Sequence, residues 1–282
     1  MTAKTSDEIL QRLEEEGKKE GFDPKFLELY RRILRTQALL EPRISKTKPS
    51  LNIEATNKRL ELGLPLVSFE ELALDWPLLE EVFNEVIAIF ADFPEFFGEI
   101  PQSLKEALTA KLTNETVKAW FEEAKLPDTI VDDKVTKHLL ETIIHTALRP
   151  FLASQAKTLL NFVKPELWRR RYCPICGGSP DFAFLEKEVG ARWLLCSRCD
   201  AEWLFQRLEC PYCGNNDQNT LAYFTDDGGR YRLYVCEKCH TYIKAVDLRH
   251  TEAEVLLPLE RIMTLDIDRQ GQEKGYQPGH SR

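Results

Sequence analysis

The residues of this sequence best suited to chemistry are its eight cysteines, all between Cys173 and Cys239. They form four Cys-x-x-Cys pairs: Cys173/Cys176, Cys196/Cys199, Cys210/Cys213 and Cys236/Cys239. Nineteen residues separate the first two pairs, 22 the last two, and 10 the two sets. Both sets open on the same knuckle, Cys173-Pro174-Ile175-Cys176-Gly177 and Cys210-Pro211-Tyr212-Cys213-Gly214. Two residues between cysteines let one tight turn aim both sulfurs at one ion. Proline pre-sets that turn, and glycine permits the unusual backbone after it. Two such knuckles make a closed tetrahedral set of four thiolates, which suits zinc or iron. The repeat favours sequential sets over crossed ones: Cys173, Cys176, Cys196 and Cys199, then Cys210, Cys213, Cys236 and Cys239. Disulfides and thioredoxin-like redox chemistry fit less well. The first needs an oxidising compartment, and the second needs one pair in a βαβ setting rather than four in a repeat. A closed site is structural by default, because metal catalysis needs an open coordination position.

The elements that must carry these knuckles differ from the rest of the chain. Length alone suggests two domains, and glycine and cysteine usage change near Lys164-Pro165. The reading is α+β: an irregular helical bundle over 1–165, a metal module over 166–205, a second over 206–250, and a C-terminal helix with a flexible tail over 251–282. In the first part Leu78, Leu79, Val82, Phe83, Val86, Ile87 and Phe90 recur at helical spacing, with Asp75 as cap and Pro77 at the helix start. A second helix is expected over 132–162, with Val135, Leu139, Ile143, Ala147, Phe151 and Leu159 on its apolar stripe. Pro150 should kink or split it. Weaker helices are expected near 6–19, 24–40, 51–62, 68–74 and 102–125. In the metal-bearing part, strands are expected at 192–195, 203–208, 221–225 and 231–235, with Asp226-Asp227-Gly228-Gly229 as a hairpin turn. A helix should follow over 253–267, and 270–282 should fray.

Composition narrows the function. The net charge is −8, and residues 165–250 hold 12 basic and 12 acidic side chains, so no nucleic-acid footprint appears. No run is long and apolar enough to span a membrane, and the N-terminus does not read as an export signal. Walker, Gly-x-Ser-x-Gly and dinucleotide-binding loops are absent, and no catalytic residue is assigned. His138, Glu141 and His145 share a helix without the spacing of a helical zinc site, and ordinary helix surface accounts for them. Trp168-Arg169-Arg170-Arg171-Tyr172 offers cations between aromatics for an anion or a flat ring. Glu202, Trp203, Arg207, Tyr242 and Lys244 flank the later pairs. They either pack over the knuckles or present a partner-binding patch.

The order Cys173-Pro-x-Cys176-Gly, Gly190-x-Arg192, Cys196-x-x-Cys199-x-x-Glu202-Trp203-x-x-x-Arg207-x-x-Cys210 and Cys236-x-x-Cys239-x-x-Tyr242-x-Lys244 resembles the formate dehydrogenase accessory proteins of the FdhE family. The likeness spans about 172–247. Gly178-Ser179-Pro180 extends the first knuckle by one residue relative to the family pattern. The resemblance implies a cytoplasmic, non-enzymatic maturation chaperone with a helical domain, two rubredoxin-like modules and eight metal-ligating cysteines. It implies that the partner is the catalytic subunit of a molybdenum- or tungsten-dependent formate dehydrogenase. A sharper expectation is that Arg169–Arg171 and the ribbon aromatics sample that subunit's pterin guanine dinucleotide. An iron-based electron carrier with two rubredoxin-like centres is the alternative.

Overall fold

The computed structural model describes residues 6–17, 23–44, 53–72, 74–252 and 254–279. It divides into two compact units. The first takes the described residues of Met1–Lys48 and Phe69–Ser154, and the second those of Pro49–Ser68 and Gln155–Arg282.

The first unit is helical: α1 (Ser6–Glu16), α2 (Pro24–Leu40), then, after α3 (Ile53–Glu61) of the other unit, α4 (Trp76–Ala91), α5 (Pro94–Phe97), α6 (Gln102–Ala110), α7 (Asn114–Glu123) and most of α8 (Lys134–Leu159). Asp75 caps α4 as expected, its carboxylate accepting from Leu78 N at 3.1 Å. The α4 residues Leu79, Val82, Phe83, Val86, Ile87 and Phe90 are each at most 2% exposed. Each such side chain contributes roughly 1.5–3 kcal/mol on burial. Where one helix was expected over 102–125 there are two, and 68–74 yields only a 3-10 turn at Phe69–Glu71. The starts of the 51–62 helix and the 253–267 helix, and the end of 6–19, fall partly outside the described residues.

Helix α8 passes through Pro150 without being split in two, a split being one of the two outcomes expected there. Proline leaves the carbonyl four residues earlier without its helical donor. Gln37 Nε2 reaches that carbonyl, Thr146 O, at 3.4 Å. Val135, expected on the apolar stripe, is 75% exposed, while Leu140, Ile143, Ala147 and Leu148 are buried.

The second unit is built on one sheet: β1 (Pro180–Leu185), β2 (Arg192–Cys196), β3 (Glu202–Phe205), β4 (Leu221–Thr225), β5 (Tyr231–Cys236), β6 (Thr241–Asp247) and β7 (Gln277–Pro278). Its order is β3-β2-β1-β6-β5-β4, with β7 also pairing β6. Each cysteine set thus sits on an antiparallel three-stranded ribbon. Parallel pairing of β1 with β6, Phe182 opposite Lys244 through Leu185 opposite Asp247, fuses the two ribbons. The expected hairpin joins β4 to β5, with Gly229 at φ 67° and Asp226 Oδ1 accepting from Tyr231 N at 2.8 Å.

Residues opposite one another across the strands share a face. One face carries Phe182, Phe184, Leu195 and Val246 against Val255 and Leu257, and Leu233, Val235 and Tyr242 against Ile267 and Tyr276. Helices α9 (Leu257–Met263) and α10 (Leu265–Glu273) supply that cover. The tail expected to fray from Gln270 is therefore ordered through Gly279. Gly271 lies against Tyr242, and β7 extends the sheet. Residues 280–282 lie outside the described set.

At the end of β6, the Asp247 side chain is fully buried between Arg232 and Arg249, each at 2.7 Å. Burial alone would raise its pKa, but the Arg249 hydrogen bonds and both guanidinium charges hold it below the ordinary value. Its stabilisation is therefore complete above the unfolded carboxylate range and is lost as pH falls through the lowered folded value. Asp247→Asn is expected to destabilise the unit by ~3–5 kcal/mol, because two guanidiniums lose their counter-charge. Urea unfolding at neutral pH checks this, and the difference from the unaltered protein should shrink in acid.

Candidate metal centres

The four Cys-x-x-Cys turns are local structures that the sequence writes almost unaided. In the first, Gly177 N donates to Cys173 O at 3.1 Å and Cys173 N to Gly178 O at 2.8 Å. In the third, Gly214 N donates to Cys210 O at 3.0 Å and Cys210 N to Asn215 O at 2.8 Å. The residue after every pair is left-handed: Gly177 and Gly214 at φ 73°, Asp200 at 56° and His240 at 52°. Glycine marks two of these positions in the sequence. Asp200 and His240 hide the other two, being among the side chains that tolerate the conformation best. A Cβ at Gly177 would meet Pro65 Cγ at 3.2 Å. Gly177→Ala should therefore cost ~1–2 kcal/mol from the left-handed backbone alone, read as a lower denaturant midpoint with unchanged metal content.

The turns bring the sulfurs together in the sequential sets. Cys173, Cys176, Cys196 and Cys199 form one group and Cys210, Cys213, Cys236 and Cys239 the other, the sulfurs of each lying within 4.8 Å of one another. In the first, the Sγ separations Cys173–Cys199, Cys176–Cys196 and Cys176–Cys199 are each 3.5 Å. In the second, Cys210–Cys239 and Cys213–Cys236 are 3.7 Å. Among the described residues, no other group of His, Cys, Asp or Glu has such geometry. The first set is wholly buried, whereas Cys213 and Cys239 of the second are partly exposed.

The donor set fits a soft divalent ion. Burial pushes the Cys173 and Cys199 thiols well above their usual range, while neighbouring thiols and Arg198 pull Cys176 well below it. Four thiolates cannot share such a pocket without a cation, and a bound ion reverses that penalty outright. Backbone and side-chain donors already face the sulfurs: Ile175 N to Cys173 and Arg198 N to Cys196 at 3.4 Å, and Asn215 Nδ2 to Cys236 at 3.5 Å. Such outer contacts orient ligands and spread their charge. Asn215 was not singled out in the sequence; it stands where Gly178 stands in the first knuckle.

The expected partner-contacting residues divide into buried and exposed ones. Trp203 is 1% exposed and its Nε1 donates to Arg170 O at 2.8 Å. Tyr242 is buried, its hydroxyl on Asp268 Oδ1 at 2.9 Å, and Lys244 is buried against Asp268, Arg261 O and Thr264 O. Arg170 lies over the Trp168 ring and reaches Glu61 O at 3.3 Å, and Arg171 donates to Tyr212 O at 2.6 Å. Glu202 is half-buried, and burial raises its pKa. Arg169 and Arg207 are exposed. His138 is exposed, Glu141 accepts from Leu126 N at 2.8 Å, and His145 packs on Trp120.

The Pro49–Ser68 segment belongs with the metal-bearing unit, although the sequence suggested only a helix of the N-terminal bundle. Leu66 N and Val67 N donate to Pro174 O and Ile175 O at 2.8 and 2.9 Å, clasping the first knuckle. Tyr172 Oη donates to Gly63 O at 2.8 Å.

Known proteins are similar to this chain in sequence and in fold. The family model for the central domain of FdhE matches residues 172–207, from the first knuckle through Arg207. An FdhE homologue of Aquifex aeolicus is 28% identical over 243 residues, covering 83% of this chain and 78% of that protein. One from Shewanella oneidensis is 31% identical over 112 residues, covering 38% of this chain and 36% of its own length. The crystal structure of FdhE from Pseudomonas aeruginosa shares the fold at TM-score 0.56 and 22% identity, covering 96% of this chain and 90% of that one. Over residues 172–207 this chain is thus similar to the FdhE central domain, and over most of its length it is similar to an FdhE homologue and shares the fold of an FdhE protein.

Proposed function

We propose that this chain is a non-enzymatic accessory protein of a formate dehydrogenase. It binds the immature catalytic subunit in the cytoplasm and is needed for that subunit to become active. The observation that carries the reading is the pair of cysteine centres, the first within the FdhE central domain. We take the eight cysteines as ligands of two ions, zinc or iron, which crosslink the ribbons. They leave no open position at which substrate would bind. The working division is a helical domain to residue 165, modules over 166–205 and 206–250, and a C-terminal cover from 251.

Recovering tagged protein from formate-grown native cells after cross-linking tests this reading. Enrichment of a formate dehydrogenase catalytic subunit is the expected result, and its absence from cells that express the enzyme would overturn the proposal. The finer idea, that the protein samples the client's pterin guanine dinucleotide, rests on the exposed Arg169 and Arg207. Of the other candidates, Trp203, Tyr242 and Lys244 are buried, and Arg170 and Arg171 bond main-chain carbonyls. Calorimetric titration with a guanine nucleotide should give heat that Arg169→Ala reduces, and silence at millimolar ligand would end the idea. The partial exposure of Cys213 and Cys239 favours one other reading, an iron electron carrier. Visible absorbance that bleaches with dithionite would support it, and a colourless zinc protein would exclude it.

A further inference from the structure

The knuckle that opens the second centre is held from the first module. Arg171, two residues before Cys173, donates to Tyr212 O inside that knuckle at 2.6 Å. Arg192, on β2 four residues before Cys196, donates to Gln206 O and, at 2.5 Å, to Glu209 O, the carbonyls of the run into Cys210. Tyr212 Oη donates in return to Pro180 O, the first residue of β1, at 3.1 Å. Beyond that return contact, the first centre has supports of its own: the backbone of Leu66 and Val67, and Arg261 of α9 on Cys196 O at 3.0 Å.

Arg192 is an unusual residue to bury. It is 2% exposed, lies between the rings of Phe205 and Tyr234, and has no carboxylate among its hydrogen-bond partners. With Tyr212, Tyr234, Cys210 and Cys236 it lines a cavity of about 30 Å³ beside the second centre. Four thiolates around a divalent ion carry a net −2, and Glu209 lines the same cavity. A fixed cation beside them is favoured. The guanidinium thus both ties down the approach to Cys210 and offsets the charge that the loaded centre would carry.

We propose that occupancy of the first centre sets up the second. Arg171 and Arg192 are positioning residues that hold the Cys210–Cys213 knuckle ready, and the second ion, under partly exposed sulfurs, is the one that exchanges. This inference rests on the reading of both sets as metal centres.

The test is metal release from full-length protein, loaded with zinc under reducing conditions, to a coloured chelator, with ion count by native mass spectrometry. The unaltered protein should hold two ions and lose them in a fast and a slow phase. Cys239→Ser should keep one ion and only the slow phase. Cys173→Ser should hold neither. Because that variant could simply misfold, the pair Arg171→Met with Arg192→Met, which leaves every ligand in place, is the second arm. It should speed the fast phase by about tenfold or more, as expected for lost charge-assisted hydrogen bonds, and leave the slow phase unchanged. Arg192→Lys should give an intermediate rate. A Cys173→Ser protein that retains an ion at the second centre overturns the order of assembly. So does a paired arginine variant with both phases unchanged or equally accelerated. An unaltered protein that binds fewer than two ions overturns the metal reading itself.

Discussion

Cys196→Ser is expected to unfold the metal-bearing unit. Cys196 ends β2, its sulfur lies 3.5 Å from that of Cys176, and its carbonyl accepts from Arg261. Serine removes one of four soft ligands and buries a hydroxyl among three thiols. Structural tetrathiolate sites contribute apparent binding energies of ~10–16 kcal/mol, as large as the ~5–15 kcal/mol net stability of a whole domain. The ribbons have little to set against that loss. The sheet's covered face depends on Phe182, Phe184 and Leu195, whose strands the first centre pins together. The expected result is loss of bound metal, loss of strand signal in circular dichroism, and a melting curve without the transition of this unit. Chelator under reducing conditions should do the same to the unaltered protein. Acid should too, since protons compete for thiolates as pH falls. Cys213→Ser, at a partly exposed sulfur, should lose one ion and leave the first ribbon folded. A Cys196→Ser protein that melts like the unaltered one with full metal content would remove the structural role assigned to the first centre.

What the sequence made legible follows from how local each feature is. The knuckles are turns of five residues, so spacing and a glycine announce them. Helix α4 was readable because cap, proline and apolar period agree within sixteen residues. The fusion of the two ribbons was not, because β1–β6 pairing joins residues some sixty positions apart and leaves no periodic trace. Strand β1 was missed for a related reason. Pro180-Asp181-Phe182-Ala183-Phe184-Leu185 is buried along nearly its whole length, so it lacks the alternation of a half-exposed strand. Pro150 does not split α8, and Gln37, over a hundred residues away in sequence, reaches the carbonyl it leaves without a helical donor. Trp203, Tyr242 and Lys244 have residue types that serve equally at interfaces and in cores; only their partners decide, and those partners lie on other elements.

Lys244→Met is the second large effect, and it separates cover from metal. The ammonium is 5% exposed. It bonds Asp268 of α10 at 2.5 Å and the carbonyls of Arg261 and Thr264, at 3.1 and 3.3 Å, where α9 ends. Methionine fills the space but leaves Asp268 with the Tyr242 hydroxyl and no counter-charge, and two carbonyls without that donor. Breaking a buried pair costs ~3–5 kcal/mol, and about 2–4 kcal/mol is expected here because Asp268 remains 22% exposed. Burial lowers the pKa of Lys244 while the charge of Asp268 opposes that shift. The folded protein then binds fewer protons than the unfolded chain between the lowered value and the ordinary lysine value. Stability should rise with pH across that window, and Lys244→Met should abolish the rise. Adding Asp268→Leu to Lys244→Met should recover part of the loss, since removing both partners spares the orphaned charge. Metal stoichiometry should stay at the unaltered value throughout, because neither residue touches a sulfur-bearing turn. If Lys244→Met released metal as readily as it loosened the C-terminal helices, the hold of Arg261 on Cys196 O would be enough to make the covered face and the first centre one cooperative structure.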